Sequence, residues 1–284
     1  MAERVFLLGW VLLLLLLLSS VSARSGDPGA QYIYGGCSNV KYSSNSSYKR
    51  NLENALTSMV NSATFQPYNN VTVESSNPQE VVYGLYQCRG DIAMPDCAAC
   101  VQEAVSQFSW LCPDQNCGGV IQMEGCFVKY DNDSFLSKQD KQVVMRKCGP
   151  TDGYDDQVKS TRDGVLAGLL NSGQLYRASA SENIQSVAQC TGDLNPSQCQ
   201  DCLTEAIRKV KQECFMAAYG DMFLGKCYVR YTINMVHAPS GKAHSMFSSN
   251  EKTFAIIAGL LAGIVLLIIF LMFLKKIFIG EKGK

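Results

Sequence analysis

Apolar residues fall into a helical pattern at four places along the chain. Leu52, Ala55, Leu56, Met59, Val60 and Ala63 recur at i, i+3, i+4, i+7, i+8 and i+11, the spacing of a helix with one buried face. Cys97, Cys100, Val101, Ala104, Val105 and Phe108 repeat that spacing, as do Cys199, Cys202, Leu203, Ala206, Ile207 and Val210. Val165, Leu166, Leu169 and Leu170 start a fourth helix. Short β-rich runs lie between: Gln31 to Tyr34, Val71 to Glu74, Val81 to Tyr86, Val120 to Tyr130, and Ser186 to Gln189. The order strand, helix, two strands, helix, strands predicts an α+β module whose helices cover one face of an antiparallel sheet.

The cysteines show that this module occurs twice. Cys88, Cys97 and Cys100 have the spacing C-x8-C-x2-C, and Cys190, Cys199 and Cys202 repeat it, with Gly90-Asp91 matching Gly192-Asp193. Pro95-Asp96 and Pro196-Ser197 stand where a helix start is expected. Each CxxC pair then points into the core, and a bridge to the first cysteine would staple strand to helix. Cys112 and Cys214 follow at equal distances. Cys126 and Cys227 sit in the similar contexts Gly-Cys-Phe-Val-Lys-Tyr and Lys-Cys-Tyr-Val-Arg-Tyr, and Cys37 and Cys148 open the two copies. Six cysteines per copy account for twelve of the 13. Cys117 is left over, with three fates open to it: a buried local role, competition with Cys112 for a bridge, or a link to another chain.

Two long apolar runs flank the modules. Residues 1–23 carry Arg4, a leucine run and Val21-Ser22-Ala23, the form of a cleavable signal peptide. Residues 253–274 hold a charge-free stretch from Phe254 to Leu274, about 31 Å long as a helix and enough to cross a bilayer. Lys275-Lys276 follow, so the 275–284 tail is expected in the cytosol and the cysteines outside it, where disulfides are the default. Three Asn-x-Ser/Thr sequons, Asn45, Asn70 and Asn132, fit the same secretory route. Gly259 and Gly263 form a small-xxx-small pair suited to close helix approach. The predicted segments are a signal peptide at 1–23, modules at 24–147 and 148–232, a polar stalk at 233–252, a transmembrane helix at 253–274 and the tail.

Composition narrows the chemistry. Formal net charge is zero and the modules have no dense basic run, so no nucleic-acid partner is expected. The two histidines, His237 and His244, both lie in the stalk, which excludes Ser-His and Cys-His nucleophilic sites in the modules. No catalytic residue, cofactor or metal is expected, since disulfides compete better than zinc for these cysteines outside the cytosol. Asp131 with Asp133, and Asp155 with Asp156, are the carboxylate clusters, and loop solvation accounts for both.

The paired C-x8-C-x2-C modules, the contexts of Cys126 and Cys227, the leader, the single span and the short tail together resemble the plant plasmodesmata-located proteins, whose tandem modules are called DUF26 or Gnk2-homologous domains. The resemblance implies two helices on a five-stranded antiparallel sheet in each module. It implies the bridges Cys37–Cys112, Cys88–Cys97, Cys100–Cys126, Cys148–Cys214, Cys190–Cys199 and Cys202–Cys227. It also implies a non-enzymatic regulator of cell-to-cell trafficking at plasmodesmata, acting through callose deposition and recruited partners, with links to defence. The partners it implies are the membrane, related ectodomains or further copies, and viral movement proteins. The rival expectation is a plasma-membrane lectin or co-receptor for a cell-wall glycan. Ginkbilobin, a single-module antifungal relative, binds mannose through Asn, Arg and Glu. The matching places here hold Ser38, Val120 and Asp131 in the first module, and Gly149, Asp221 and Thr232 in the second, so the mannose chemistry is not carried over.

Overall fold

The computed structural model describes residue 29, residues 31–151 and residues 155–234. The expected signal peptide, nearly all of the stalk with His237 and His244, the expected span with Gly259 and Gly263, and the tail lie outside the described residues. Among the described residues, no helix is long and apolar enough to cross a membrane.

The first module runs β1 (Tyr32–Cys37), α1 (Tyr48–Ser62), β2 (Tyr68–Val73), β3 (Val82–Cys88), α2 (Met94–Leu111), β4 (Gly119–Met123) and β5 (Cys126–Asp131). The second runs β6 (Val143–Cys148), α3 (Asp156–Gly168), β7 (Tyr176–Ser181), β8 (Ile184–Cys190), α4 (Pro196–Glu213), β9 (Tyr219–Leu224) and β10 (Cys227–Ile233). Their sheets have the same order, β1-β4-β5-β3-β2 and β6-β9-β10-β8-β7, with every adjacent pair antiparallel. The expected tandem of α+β modules, each with two helices on an antiparallel sheet, is the observed architecture.

Local chemistry explains the helix starts. Asn195 accepts from the Gln198 backbone N–H while the Gln198 side chain returns a bond to Asn195, and Pro196 supplies a pre-set φ at the first helical position. Asp155 caps α3 by accepting from Val158 N–H at 2.9 Å, which assigns this acidic residue to a helix terminus. Along α2 the cysteine stripe is buried with Val101, Ala104 and Phe108, while Val105 sits half-buried at its edge. Burying side chains such as Val101 and Phe108 stabilises the fold by about 1.5–3 kcal/mol each.

Disulfides fix each long helix at three points. Cys97 joins Cys88 at the end of β3, Cys100 joins Cys126 at the start of β5, and Cys112 joins Cys37 at the end of β1. In the second module Cys199 joins Cys190, Cys202 joins Cys227 and Cys214 joins Cys148.

The module boundary expected between residues 147 and 148 is corrected. Strand β6 pairs with β9 from Val143↔Leu224 to Cys148↔Gly220, so five residues before Cys148 already belong to the second sheet. The second module extends at its other end to Ile233, which pairs with Ile184 and is buried, so the stalk cannot begin at 233.

Candidate functional site at the seam between modules

Side-chain alternation gives each sheet two different faces. Ile121, Met123, Val128 and Tyr130 join the core under α1 and α2, which leaves Gln87, Gln122, Phe127 and Lys129 on the opposite face. In the second sheet Met222, Leu224, Val229 and Tyr231 face the core, leaving Gln189, Asp221, Phe223, Tyr228 and Arg230 opposite. These helix-free faces meet. The seam therefore buries the surface that a single module would expose.

Repeated residues make the contact. The Gln87 side chain accepts from Gly192 N–H at 2.9 Å, and Gln189 accepts from Gly90 N–H at 3.3 Å while donating to Cys88 C=O at 2.9 Å. Gly90 lies against Tyr176, and Gly192 against the Tyr68 ring, where an added Cβ would come within 2.8 Å. Only glycine allows both rings this close to the backbone. The glycine of the Gly-Asp pair that recurs in the cysteine motif is thus an inter-module contact in both copies.

Charge and aromatic contacts add to the amide contacts. Arg230 bonds Glu124 of the first module at 2.5 Å and Asp221 of its own sheet at 2.9 Å; Glu124 also bonds Arg89 at 2.9 Å, and Arg89 bonds Asp91 at 2.6 Å. Burial pulls the Arg230 guanidinium down, but Asp221 and then Glu124 outweigh it, so its pKa lies above the ordinary value. Tyr34 meets Phe223 edge-on at 5.6 Å between centroids, and Phe223 stacks on Tyr228 at 5.1 Å. Burial pushes the phenols of Tyr34 and Tyr228 upward, so both stay neutral. The cleft left between the modules is about 30 Å³, room for water and far below the roughly 300 Å³ of small-molecule sites. The seam is a joint, and it offers no substrate cavity.

The connecting segment is held against the second module. Lys226 and Asp193 form an ion pair with both side chains 2% exposed, and Asp193 also accepts from Ser137 N–H at 2.8 Å. Ser137 takes φ 61°, a left-handed conformation that the bond from its N–H and another from Gln198 to its C=O hold in place.

The residues matching the ginkbilobin site gather at one corner of the first module. Asn116 donates to Ser38 C=O at 2.7 Å, Ser38 N–H donates to Gly118 C=O at 2.8 Å, and Val120 pairs with Gly36 and Lys129. Asp131 accepts from Asp133 N–H at 3.2 Å, so this acidic pair forms a turn. In the second module Asp221 is engaged by Arg230. Gly149 and Thr232 lie beside Tyr219, through a backbone bond from Gly149 N–H and strand pairing respectively. Cys117 is free and buried beneath the same corner of the first module, where its C=O accepts from the Tyr48 hydroxyl. Of the sequons, Asn45 is exposed in a turn, Asn70 is exposed on edge strand β2, and Asn132 is half-buried after β5. Among the described residues, no three His, Cys, Asp or Glu side chains cluster as metal ligands.

Two copies of a three-disulfide α+β unit, joined face to face through repeated Gln and Gly residues, define a tandem cysteine-rich module protein. The salt stress response/antifungal family model matches residues 36–133 and 145–234. Plasmodesmata-located protein 7 of Arabidopsis thaliana is 51% identical over 87% of this chain and 83% of its own length. Plasmodesmata-located protein 6 of the same plant is 46% identical over 94% of each chain. The crystal structure of the tandem DUF26 ectodomain of the Arabidopsis thaliana cysteine-rich receptor-like protein PDLP5 superposes with a TM-score of 0.68 at 42% identity, covering 72% of this chain and all of that one. The corresponding PDLP8 ectodomain gives 0.70 at 36% identity, over 72% of this chain and 99% of that one. The chain belongs to the plasmodesmata-located protein family of tandem DUF26 proteins.

Proposed function

We propose that this protein is a non-enzymatic regulator of cell-to-cell trafficking at plasmodesmata. Residues 253–274 span the membrane once, the tandem modules face the apoplast, and the span carries the sorting information. The effect runs through callose deposition and recruited partners, in defence and in encounters with viral movement proteins. The observation that carries this reading is the near full-length relationship to plasmodesmata-located proteins. The seam supports it further, because two modules packed sheet to sheet with no substrate-sized cleft between them suit recognition better than turnover. Related ectodomains or further copies of the chain are the natural partners of such a body.

The test is movement of a diffusible fluorescent protein between leaf epidermal cells when the chain is overproduced or removed, with callose stained in the same tissue. Overproduction should restrict movement and raise callose at the shared walls, and removal should do the reverse. Unchanged movement in both directions overturns the reading.

A further inference from the structure

Lys129 in β5 and Arg230 in β10 hold the same place in the two repeats, three residues after Cys126 and Cys227. Their surroundings differ. Arg230 lies across from Asp221 and bonds it, and bonds Glu124 as well. Lys129 lies across from Val120 on one side and Leu85 on the other, so neither cross-strand neighbour supplies a carboxylate. Among the described residues, neither Lys129 nor Lys138 enters an ion pair. Asp131, two residues along the strand, accepts from the Asp133 N–H and also feels the charge of Lys129, without forming an ion pair with it.

The Lys129 ammonium stands over the Phe135 ring at 4.5 Å, and Lys226 stands over the same ring at 4.9 Å. Burial pushes the Lys226 ammonium downward, Asp193 opposes that, and the charge of Lys129 adds to the lowering. Two like charges therefore share one aromatic ring, and only Lys226 has a paired counterion. Beside them is a recess of about 330 Å³ lined by Lys129, Ser134, Phe135, Lys138, Gln139 and Gln142. Asp140 also borders it, accepting from Gln142 N–H at 3.0 Å. With Lys226 neutralised by Asp193, the lining itself carries Lys129 and Lys138 against Asp140, one positive charge in excess, while the Asp131 carboxylate acts on Lys129 from outside the lining. That balance suits a single carboxylate better than a doubly charged phosphate. Lysines present separate point charges where arginine would present a fork. The hydroxyl and amides of Ser134, Gln139 and Gln142 suit the hydroxyl groups of a polar ring.

We propose that this recess binds the carboxylate of an acidic sugar unit, with Lys129 and Lys138 on the carboxylate and the Ser134, Gln139 and Gln142 side chains on the ring hydroxyls. Binding is measured in solution and does not depend on where the chain resides, so its failure leaves the plasmodesmal reading standing. The full chain, purified in detergent, is titrated calorimetrically at low salt with a trigalacturonate, with maltotriose as the neutral match, and with inorganic phosphate. The uronate should bind, added salt should weaken it, and the neutral sugar and phosphate should each bind at least about tenfold more weakly. Lys138→Gln, at an exposed position, should weaken uronate binding about tenfold, and Lys129→Gln further. Should Lys129→Gln fail to fold, Lys138→Gln decides alone. Absence of uronate binding, equal binding of maltotriose or phosphate, or unchanged affinity in Lys138→Gln overturns the proposal.

Discussion

Replacing Arg230 by Met removes the one ion pair that, among the described residues, joins the two modules, Arg230 with Glu124. The side chains of Arg230, Glu124 and Asp221 are 26, 23 and 11% exposed. Losing one partner of a fully buried pair costs about 3–5 kcal/mol, whereas an exposed pair contributes about 0–1 kcal/mol. A network about a quarter exposed falls between these, near 2 kcal/mol. Glu124 keeps Arg89, so most of that loss arises at Asp221, which has no other ion-pair partner among the described residues. Arg230→Met with Asp221→Asn should therefore recover about 1 kcal/mol of it, because the stranded charge is gone. Urea unfolding at neutral pH with all disulfides intact measures both variants, and thermal scans should show the single variant about 4–8 °C lower. A single variant within about 0.5 kcal/mol of the parent would refute the reasoning, as would a double variant no more stable than the single.

Opening Cys37–Cys112, which are 75 residues apart, should cost about 4.5 kcal/mol, against about 2.6 kcal/mol for Cys88–Cys97, nine apart, when paired Cys→Ser variants are unfolded in denaturant. Equal losses would contradict a loop-entropy origin. Burial, and then the charge of Asp131, push the Cys117 thiol upward, so iodoacetamide at mildly alkaline pH should label it only after unfolding; mass spectrometry showing rapid native labelling would refute this. Burial likewise raises the Asp131 carboxyl, outweighing the Asp133 backbone bond, the charge of Lys129 and the Asn132 backbone bond, which lower it. Its protonated form is the one the fold favours, so the contribution is complete below the unfolded carboxyl value of about 4 and lost as pH rises through the folded value. Asp131→Asn should accordingly raise the melting temperature at neutral pH, with the gain shrinking as pH falls; a gain that grows on acidification would contradict the assignment.

Helices α2 and α4 could be read from sequence because cysteines and apolar residues alone fill their buried stripes, giving a helical period that no polar residue interrupts. Strand β7 could not. Its residues, Tyr-Arg-Ala-Ser-Ala-Ser, form a sheet edge with only Arg177 buried, so no alternation of apolar residues marks it. The boundary at Cys148 misplaced β6 although the first copy held the signal: β1 and β6 each end on a cysteine and begin five residues earlier. The seam was harder to see because its partners lie about a hundred residues apart, as with Gln87 and Gly192. One trace of it was present all the same. Gln, Gly and Asp recur around the cysteines of both motifs, where no disulfide requires them. Arg230 and Glu124 left no such trace, because Lys129 and Gly225 occupy the equivalent places in the other copy.

Confocal imaging of the full chain, with a fluorescent protein fused after Lys284, in leaf epidermis co-stained for callose, tests the proposed site of action most directly. Paired puncta across shared walls that coincide with callose are the predicted result, and a reporter carrying only residues 254–284 should give the same puncta. An even plasma-membrane outline would contradict the plasmodesmal reading and favour a surface lectin or co-receptor.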